Sequence, residues 1–244
     1  MYPGTALRKG DPRTDLVKLC QNRLNIILCD DLKVDGDFGA KTEASVKLFQ
    51  TRRSLKPDGV LGPVSWAELF GRETDIARTP ETPLLAGALQ AALSQVGVRE
   101  IGGRNRGPQV DQYLAAVGTP PGLSWCMAFC CWAFKDGANS RHVENPVVMT
   151  AGVHRHWRQA PDEIKVAPDA ALDDLRNIKP GMIYLIDHGF GKGHCGLVVT
   201  AEPDGIHGVE GNTNERGSRE GDGVYRKIRS YSEILLGYLD YGRL

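Results

Sequence analysis

Hydrophobic residues recur at helical spacing in the first quarter of the chain. In the segments 14–27 and 41–53, apolar residues stand three or four positions apart, with polar residues between them. Trp66, Leu69 and Phe70 form a third apolar cluster a short distance further on. Because this spacing places side chains on one face of a helix, the pattern predicts a small domain of three amphipathic helices.

A second set of patterns follows residue 83. Helical spacing predicts helices in the segments 84–98, 109–118 and 124–134, of which the last is almost wholly apolar and is expected to be buried. From residue 181 the pattern changes to short β-type runs separated by Gly, Asp and Asn. These runs are 181–187, 195–201, 205–211 and 223–229. Helices followed by an antiparallel sheet predict an α+β fold.

The segment 73–84 separates the two sets and has no apolar periodicity. It contains several Pro, Glu and Thr residues, which are typical of a linker. With 244 residues the chain is long enough for two modest cores. We therefore predict an N-terminal domain at 1–72, a linker at 73–84 and a second domain at 85–244.

The N-terminal domain contains two related turns. One lies between the first two predicted helices, and the other follows the second. The sequences are VDGDFGAKT and PDGVLGPVS, each with Asp-Gly, two residues and another Gly. Glycine supplies the positive backbone angles of such turns. Thr42 and Ser65 lie near the start of the helix after each turn, where a hydroxyl is a favourable cap.

The segment from about residue 5 to residue 71 resembles the peptidoglycan-binding domain of the three-helix type. The resemblance is carried by D-G-x-F-G, the following Thr, the pair Phe49-Gln50 and the closing D-G-x-x-G-x-x-x-W. Such domains recur at one end of many cell-wall hydrolases, so the resemblance implies peptidoglycan as the partner. Taken alone, the same glycines and aromatic residues could serve only to build a small helical fold.

The best candidate for a nucleophile is Cys126. Ser124 is a good N-cap, which would put Cys126 in the first turn of the apolar helix. A helix start favours a thiolate over a thiol, and a nearby histidine lowers the thiol pKa further. Cys130, Cys131 and Cys195 lie in apolar runs and are expected to be packing residues.

The remaining cysteines do not change this interpretation. Cys20 and Cys29 complete a set of six, and no two of the six form a C-x-x-C pair. Zinc-ribbon and thioredoxin motifs are therefore lacking, and free thiols are expected.

Six histidines are candidates for the base, and position separates them. His194 stands in GKGHCGLVV, between glycines that would let a substrate approach, at the start of a predicted buried strand. His188, in the preceding Gly-rich loop, is the competing candidate. His154 and His156 lack a further ligand at zinc-site spacing and are expected to be surface or packing residues.

Glu210 and Asn212 are the candidate polar partners of the base. They stand two residues apart in GIHGVEGNTN, so both would point to one sheet face if the strand stays extended. A polar group on that face can orient the imidazole and stabilise the imidazolium. A glutamate at a strand end is equally often a solvated rim residue.

Residues 85–244 resemble the CHAP family of papain-like peptidoglycan hydrolases. The resemblance is carried by W-C-x-A-F, G-H-C-G-L-V-V and V-E-G-N-T-N. It implies a papain-like α+β domain with a central antiparallel sheet, Cys126 as nucleophile, His194 as base, and Glu210 and Asn212 as polar partners. The reaction implied is cleavage of a peptidoglycan amide, as an N-acetylmuramoyl-L-alanine amidase or as a peptide endopeptidase.

Together the two resemblances suggest a phage-endolysin-like layout. A non-catalytic wall-binding or phage structural protein and a zinc amidase remain as alternatives. Some CHAP members carry an acidic D-x-D calcium loop ahead of the cysteine, whereas this chain has REIGGRNRGPQVD. We therefore expect no calcium requirement, and no cofactor or metal. GFGKG lacks the Ser or Thr of a phosphate loop, so nucleotide binding is not expected.

Charge and hydropathy limit the choice of partner and location. Thirty Lys and Arg balance thirty Asp and Glu, so no global positive field favours nucleic acid. No run of about 18 apolar residues suggests a membrane span, and the start of the chain lacks a signal-peptide core. We expect a monomer that is made in the cytoplasm and acts at the cell wall after release.

Overall fold

The computed structural model describes residues 2–28, 31–70, 79–168, 175–202, 205–214 and 221–244. The chain divides into two compact units, one N-terminal and one larger and C-terminal. Each unit has its own hydrophobic core. Residues 73–78 of the predicted linker lie outside the described residues, as does Cys29.

Three helices form the N-terminal unit, as the apolar spacing predicts. Their bounds are α1 Thr14–Leu28, α2 Ala40–Arg52 and α3 Pro63–Phe70. The buried side chains between them include Val17, Cys20, Leu24, Val46, Phe49, Trp66, Leu69 and Phe70. An antiparallel bridge between Leu7 and Leu61 ties the start of the unit to the turn before α3.

The first Asp-Gly turn is held by a buried glutamine. The Gln21 amide nitrogen lies 3.0 Å from the Asp35 carboxylate and 3.1 Å from the Thr42 hydroxyl, and its carbonyl oxygen accepts the Gly36 N–H at 2.9 Å. Gly36 has φ +82°, a conformation that favours glycine. Both ends of one side-chain amide are therefore used to fix the turn.

The second turn repeats this arrangement with Gln50. Its amide nitrogen lies 2.9 Å from the Asp58 carboxylate and 3.0 Å from the Ser65 hydroxyl, and its carbonyl oxygen accepts the Gly59 N–H at 2.9 Å. The two turns are thus structural repeats, as their sequences indicate. The expectation that Thr42 and Ser65 act as caps needs correction, because their hydroxyls bond to these buried glutamines.

We predict that Gln21→Ala destabilises the N-terminal unit by about 2–4 kcal/mol, because several buried hydrogen bonds are lost and their partners are left unsatisfied. Unfolding by urea, followed by tryptophan fluorescence and circular dichroism, measures this loss. Asn22→Ala is the control, since Asn22 is the next residue of α1 and is exposed. Equal unfolding midpoints for the two variants would contradict the structural role of Gln21.

The C-terminal unit combines four helices with a six-stranded antiparallel sheet in its described part. The helices are α4 Pro83–Ser94, α5 Pro108–Ala116, α6 Cys126–Arg141 and α7 Val153–Gln159. The strands are β1 Lys165–Val166, β2 Ile183–Asp187, β3 Gly193–Glu202, β4 Gly205–Thr213, β5 Gly223–Arg229 and β6 Gly237–Leu239, in the order β1-β6-β2-β3-β4-β5.

The α+β fold is therefore as predicted. The apolar helix α6 is the central element, since it packs on α4, α5, β3 and β4, and most of its residues are buried. The sequence pattern did not predict the short elements α7, β1 and β6. Among the described residues, no helix is both long enough and apolar enough to cross a membrane.

Candidate active site

Cys126 is the first residue of α6, and its side chain is 4% exposed. The predicted Ser124 cap is wrong, because Trp125 occupies the N-cap position and no side chain caps the helix. The Trp125 indole N–H instead donates to Glu100 Oε1 at 2.9 Å. The uncapped helix start leaves backbone N–H groups available, and the Met127 N–H bonds to the Cys126 sulfur.

His194 is the second residue of β3 and is fully buried. Its Nε2 lies 2.9 Å from Glu210 Oε2. Its Nδ1 is buried and has no hydrogen-bond partner among the described residues. Because the imidazole also interacts with the Cys126 side chain, Nδ1 is the ring nitrogen available to the thiol.

Glu210 is fully buried and accepts hydrogen bonds from three side chains. Besides His194, Arg229 donates from Nε to Oε1 at 2.7 Å and from Nη2 to Oε2 at 2.8 Å. The Tyr184 hydroxyl donates to Oε1 at 2.7 Å. This bidentate arginine pair and the tyrosine fix the carboxylate in place against the imidazole.

Glycines in the sheet make room for Tyr184. A Cβ atom on either Gly196 or Gly208 would lie 2.5 Å from the Tyr184 hydroxyl oxygen. The phenol therefore packs directly against the backbone of β3 and β4 at these glycines, and its hydroxyl reaches Glu210. A glycine within a strand often marks such a close approach.

The electrostatics of the site favour a charged cysteine and a charged histidine. Burial opposes the charged form of His194, but the Glu210 charge, the interaction with the Cys126 side chain and the hydrogen bond to Glu210 raise its pKa to about 10. The pKa of Glu210 is lowered in spite of burial by Arg229 and His194. The pKa of the Cys126 thiol is held well below its usual range by a hydrogen bond from Cys195 and by His194.

Asn212 takes a different position from the one predicted. It is buried but has φ +56°, and the pairing of β4 with β5 is irregular between Glu210 and Thr213. The strand is therefore not extended through Asn212, so the two-residue spacing does not place it on the Glu210 face. Its side-chain amide has no hydrogen-bond partner among the described residues.

The structure thus brings Cys126, His194 and Glu210 together. Sequence reasoning missed Arg229 and Tyr184, and it treated Cys195 as a packing residue only. The one available signal was the pair of glycines within β3 and β4, which indicates a large side chain lying on the sheet.

Three further histidines that were considered for the base or for a metal site lie outside the Cys126–His194–Glu210 contacts. His188 is exposed in the loop before β3. His154 lies 3.1 Å from the Lys192 carbonyl oxygen, and its Nε2 is 3.3 Å from Asp187. His156 is buried and bonds to the Tyr241 hydroxyl at 2.9 Å. In the part of the chain that the structure describes, no cluster of three or more His, Cys, Asp or Glu residues could hold a metal ion.

The fold and site define a two-unit protein: a small helical unit precedes an α+β unit that contains a buried Cys, His and Glu arrangement at a helix start. Residues 13–69 match the family model of a putative peptidoglycan-binding domain. The match supports the predicted likeness of the N-terminal unit to a peptidoglycan-binding domain.

One similar protein is described as an uncharacterized protein in the bpoA1 3' region of Kitasatospora aureofaciens. It is 48% identical over 60 residues, which cover 24% of this chain and 51% of that protein. The chain therefore spans about half the length of this curated relative. No solved structure matches the chain.

Proposed function

We propose that the protein is a CHAP-type peptidoglycan hydrolase, in which the C-terminal unit cleaves an amide bond and the N-terminal unit holds the enzyme on the wall. The observation that carries this proposal is the buried contact series from Cys126 through His194 to Glu210 and Arg229. A thiol at a helix start, beside a histidine oriented by a carboxylate, is the arrangement that activates a cysteine nucleophile.

The site residues support the following reaction. The Cys126 thiolate attacks the amide carbonyl carbon and forms a carbon–sulfur bond, while the carbonyl electrons move to oxygen. The Cys126 backbone N–H is a candidate donor to that oxygen. His194 then donates its Nδ1 proton to the leaving amine, the carbon–nitrogen bond breaks, and a thioester remains. His194 takes a proton from water, which hydrolyses the thioester and restores the thiolate.

Glu210 and Arg229 set the charge balance of this cycle. The Glu210 carboxylate stabilises the imidazolium that faces the thiolate, so the reactive ion pair forms before substrate binds. Arg229 in turn balances the buried Glu210 charge, because an unpaired carboxylate in this position would be costly. Neither residue needs to move during the reaction.

The peptidoglycan-binding domain fits this function because it raises the local concentration of the catalytic unit at an insoluble substrate. We propose that the protein acts at the wall after release from the cytoplasm. The Cys-His-Glu site would serve an N-acetylmuramoyl-L-alanine amidase and a peptide endopeptidase equally.

Incubation of the full chain with purified peptidoglycan tests the proposal. We expect the suspension to clear and new amino groups to appear without new reducing sugar ends. Mass spectrometry of the released fragments then distinguishes the muramoyl–alanine bond from a bond within the peptide. Sedimentation of the protein with peptidoglycan that stays intact would favour the non-catalytic wall-binding alternative.

Removal of metal ions separates the cysteine mechanism from a zinc amidase. We expect EDTA to leave the rate of peptidoglycan cleavage within about twofold of the untreated rate, because the proposed nucleophile is a thiolate rather than a metal-bound water. Iodoacetamide should abolish the activity under the same conditions. Loss of activity with EDTA that zinc restores would overturn the cysteine mechanism.

A further inference from the structure

The proposed nucleophile Cys126 belongs to a group of three neighbouring buried thiols. The Cys195 sulfur lies 3.8 Å from the sulfur of Cys130, and the Cys195 side chain also interacts with that of Cys126. Cys126 and Cys130 are four residues apart on α6, so they share one helix face, and Cys195 on β3 packs against that face. Hydrolysis uses only the first of these three thiols.

The environment of each thiol gives it a different reactivity. Cys126 retains a small exposed area at the helix start, where an amide substrate or a small oxidant would reach it. Cys195 and Cys130 are fully buried. Burial and the contact with Cys126 raise the pKa of the Cys195 thiol well above its usual range, so it stays protonated and unreactive until its neighbour is modified.

We propose that Cys126 and Cys195 form a reversible disulfide after Cys126 reacts with a peroxide, so that Cys195 acts as the resolving cysteine of a modification site. A reactive thiolate next to a second thiol is the arrangement in which a sulfenic acid is converted to a disulfide before it is oxidised further. The loss of activity expected from this modification rests on the proposed function, but the disulfide itself does not.

The chemistry balances with peroxide as the oxidant. The Cys126 thiolate attacks one peroxide oxygen, so a sulfur–oxygen bond forms, the oxygen–oxygen bond breaks, and hydroxide leaves with a proton from the His194 imidazolium. The Cys195 sulfur then attacks the Cys126 sulfur and loses its proton. A sulfur–sulfur bond forms, and the sulfur–oxygen bond breaks as water leaves. Two thiols are oxidised, and one peroxide is reduced to two waters.

Cys131 is not an alternative resolving cysteine. Its sulfur lies 3.4 Å from the Val148 carbonyl oxygen and 3.5 Å from the Thr150 carbonyl oxygen, and 3.8 Å from His156 Nδ1. The Cys131 sulfur therefore faces the segment 148–156 and not Cys126. Cys130 touches Cys195, so it is the matched control for the role of Cys195.

The test uses the full chain and hydrogen peroxide. The oxidised protein is unfolded in urea with N-ethylmaleimide, digested without reductant and analysed by mass spectrometry. We expect a cross-linked pair of peptides that contain Cys126 and Cys195, with a loss of about two free thiols per chain, and release of the pair by dithiothreitol. Peptidoglycan cleavage should be lost on oxidation and regained on reduction.

Two variants sharpen the test. In Cys195→Ala, oxidation should carry Cys126 to sulfinic acid, which dithiothreitol does not reverse. In Cys130→Ala, the pair Cys126–Cys195 should still form. If Cys195→Ala does not fold, the peptide map of the parent protein still decides the question.

The proposal is overturned if Cys126 in the parent protein reaches sulfinic acid while Cys195 stays free, or if the disulfide joins Cys130 to Cys195 instead. The peptide map needs no hydrolase activity. A protein that forms the Cys126–Cys195 pair but leaves peptidoglycan intact would therefore contradict the proposed function alone.

Discussion

Replacement of Cys126 by alanine should abolish peptidoglycan cleavage, with a rate reduction on the order of 10,000-fold or more, because the proposed mechanism has no other nucleophile. The side chain that is removed is small and lies at the start of α6, so the fold should tolerate the change. Release of soluble fragments from dye-labelled peptidoglycan measures the rate. The variant should still sediment with peptidoglycan, because the binding domain at residues 13–69 is unchanged.

Cys131→Ala is the matched control for this prediction. Cys131 lies on the same helix and is also buried, but burial raises its pKa to about 12, so it is not expected to react. This variant should keep its activity and lose some stability through a small cavity. Residual cleavage in Cys126→Ala comparable to the parent rate would end the assignment of Cys126.

A second Cys-His contact in the same unit shows why residue type alone does not make a nucleophile. His156 interacts with Cys131 and with the Tyr241 hydroxyl, and no carboxylate of the described residues bonds to its ring. Burial therefore lowers the pKa of His156 to about 4, whereas the Glu210 carboxylate raises the pKa of His194 to about 10. The imidazolium that would support a thiolate is favoured beside Cys126 and disfavoured beside Cys131.

Local periodicity was sufficient to predict much of the fold. The long helices and the four longer strands follow from apolar spacing, because each buries one face along many residues. The elements β1, β6 and α7 are short, so no repeat of a period is available to reveal them. The N-cap of α6 is Trp125, one residue after the predicted Ser124, and its indole bonds to Glu100, a contact that local pattern does not reveal.

Site residues could be predicted where a reactive residue type stands at the start of a helix or strand. Residues that reach the site only through contacts between distant segments could not be predicted. Cys126 and His194 each stand at the start of an element, and that position is visible in the sequence. Arg229 and Tyr184 belong to other strands, and only the strand order brings them to Glu210. The sheet face expected for Asn212 was wrong, because its left-handed conformation breaks the alternation on which the two-residue spacing depends.

Replacement of Glu210 by glutamine should have the second large effect, on stability as well as on the rate. The change leaves the Arg229 and His194 charges buried without their carboxylate, and the new amide N–H₂ group would face side chains that are themselves donors. We expect a loss of about 3–5 kcal/mol in the free energy of unfolding near neutral pH. The difference between parent and variant should shrink as the pH falls below 4.5, the ordinary pKa of a glutamate. The stability that comes from the lowered pKa of Glu210 is complete above that value and is lost as the pH falls toward the lowered pKa.

The pH profile of cleavage distinguishes the catalytic role of Glu210 from a purely structural one. In the parent, the raised pKa keeps the His194 imidazolium to about pH 10, so activity should fall only as the pH rises through that value. Without the carboxylate, and with Arg229 still charged nearby, the imidazolium is lost at lower pH. The alkaline limb of the Glu210→Gln profile should therefore move to lower pH by more than about one unit, and the maximal rate should fall.

Glu233→Gln is the control, because it also removes a carboxylate that contacts Arg229 but does not touch His194. A Glu210→Gln variant that is destabilised but has the parent pH profile would restrict Glu210 to a structural role.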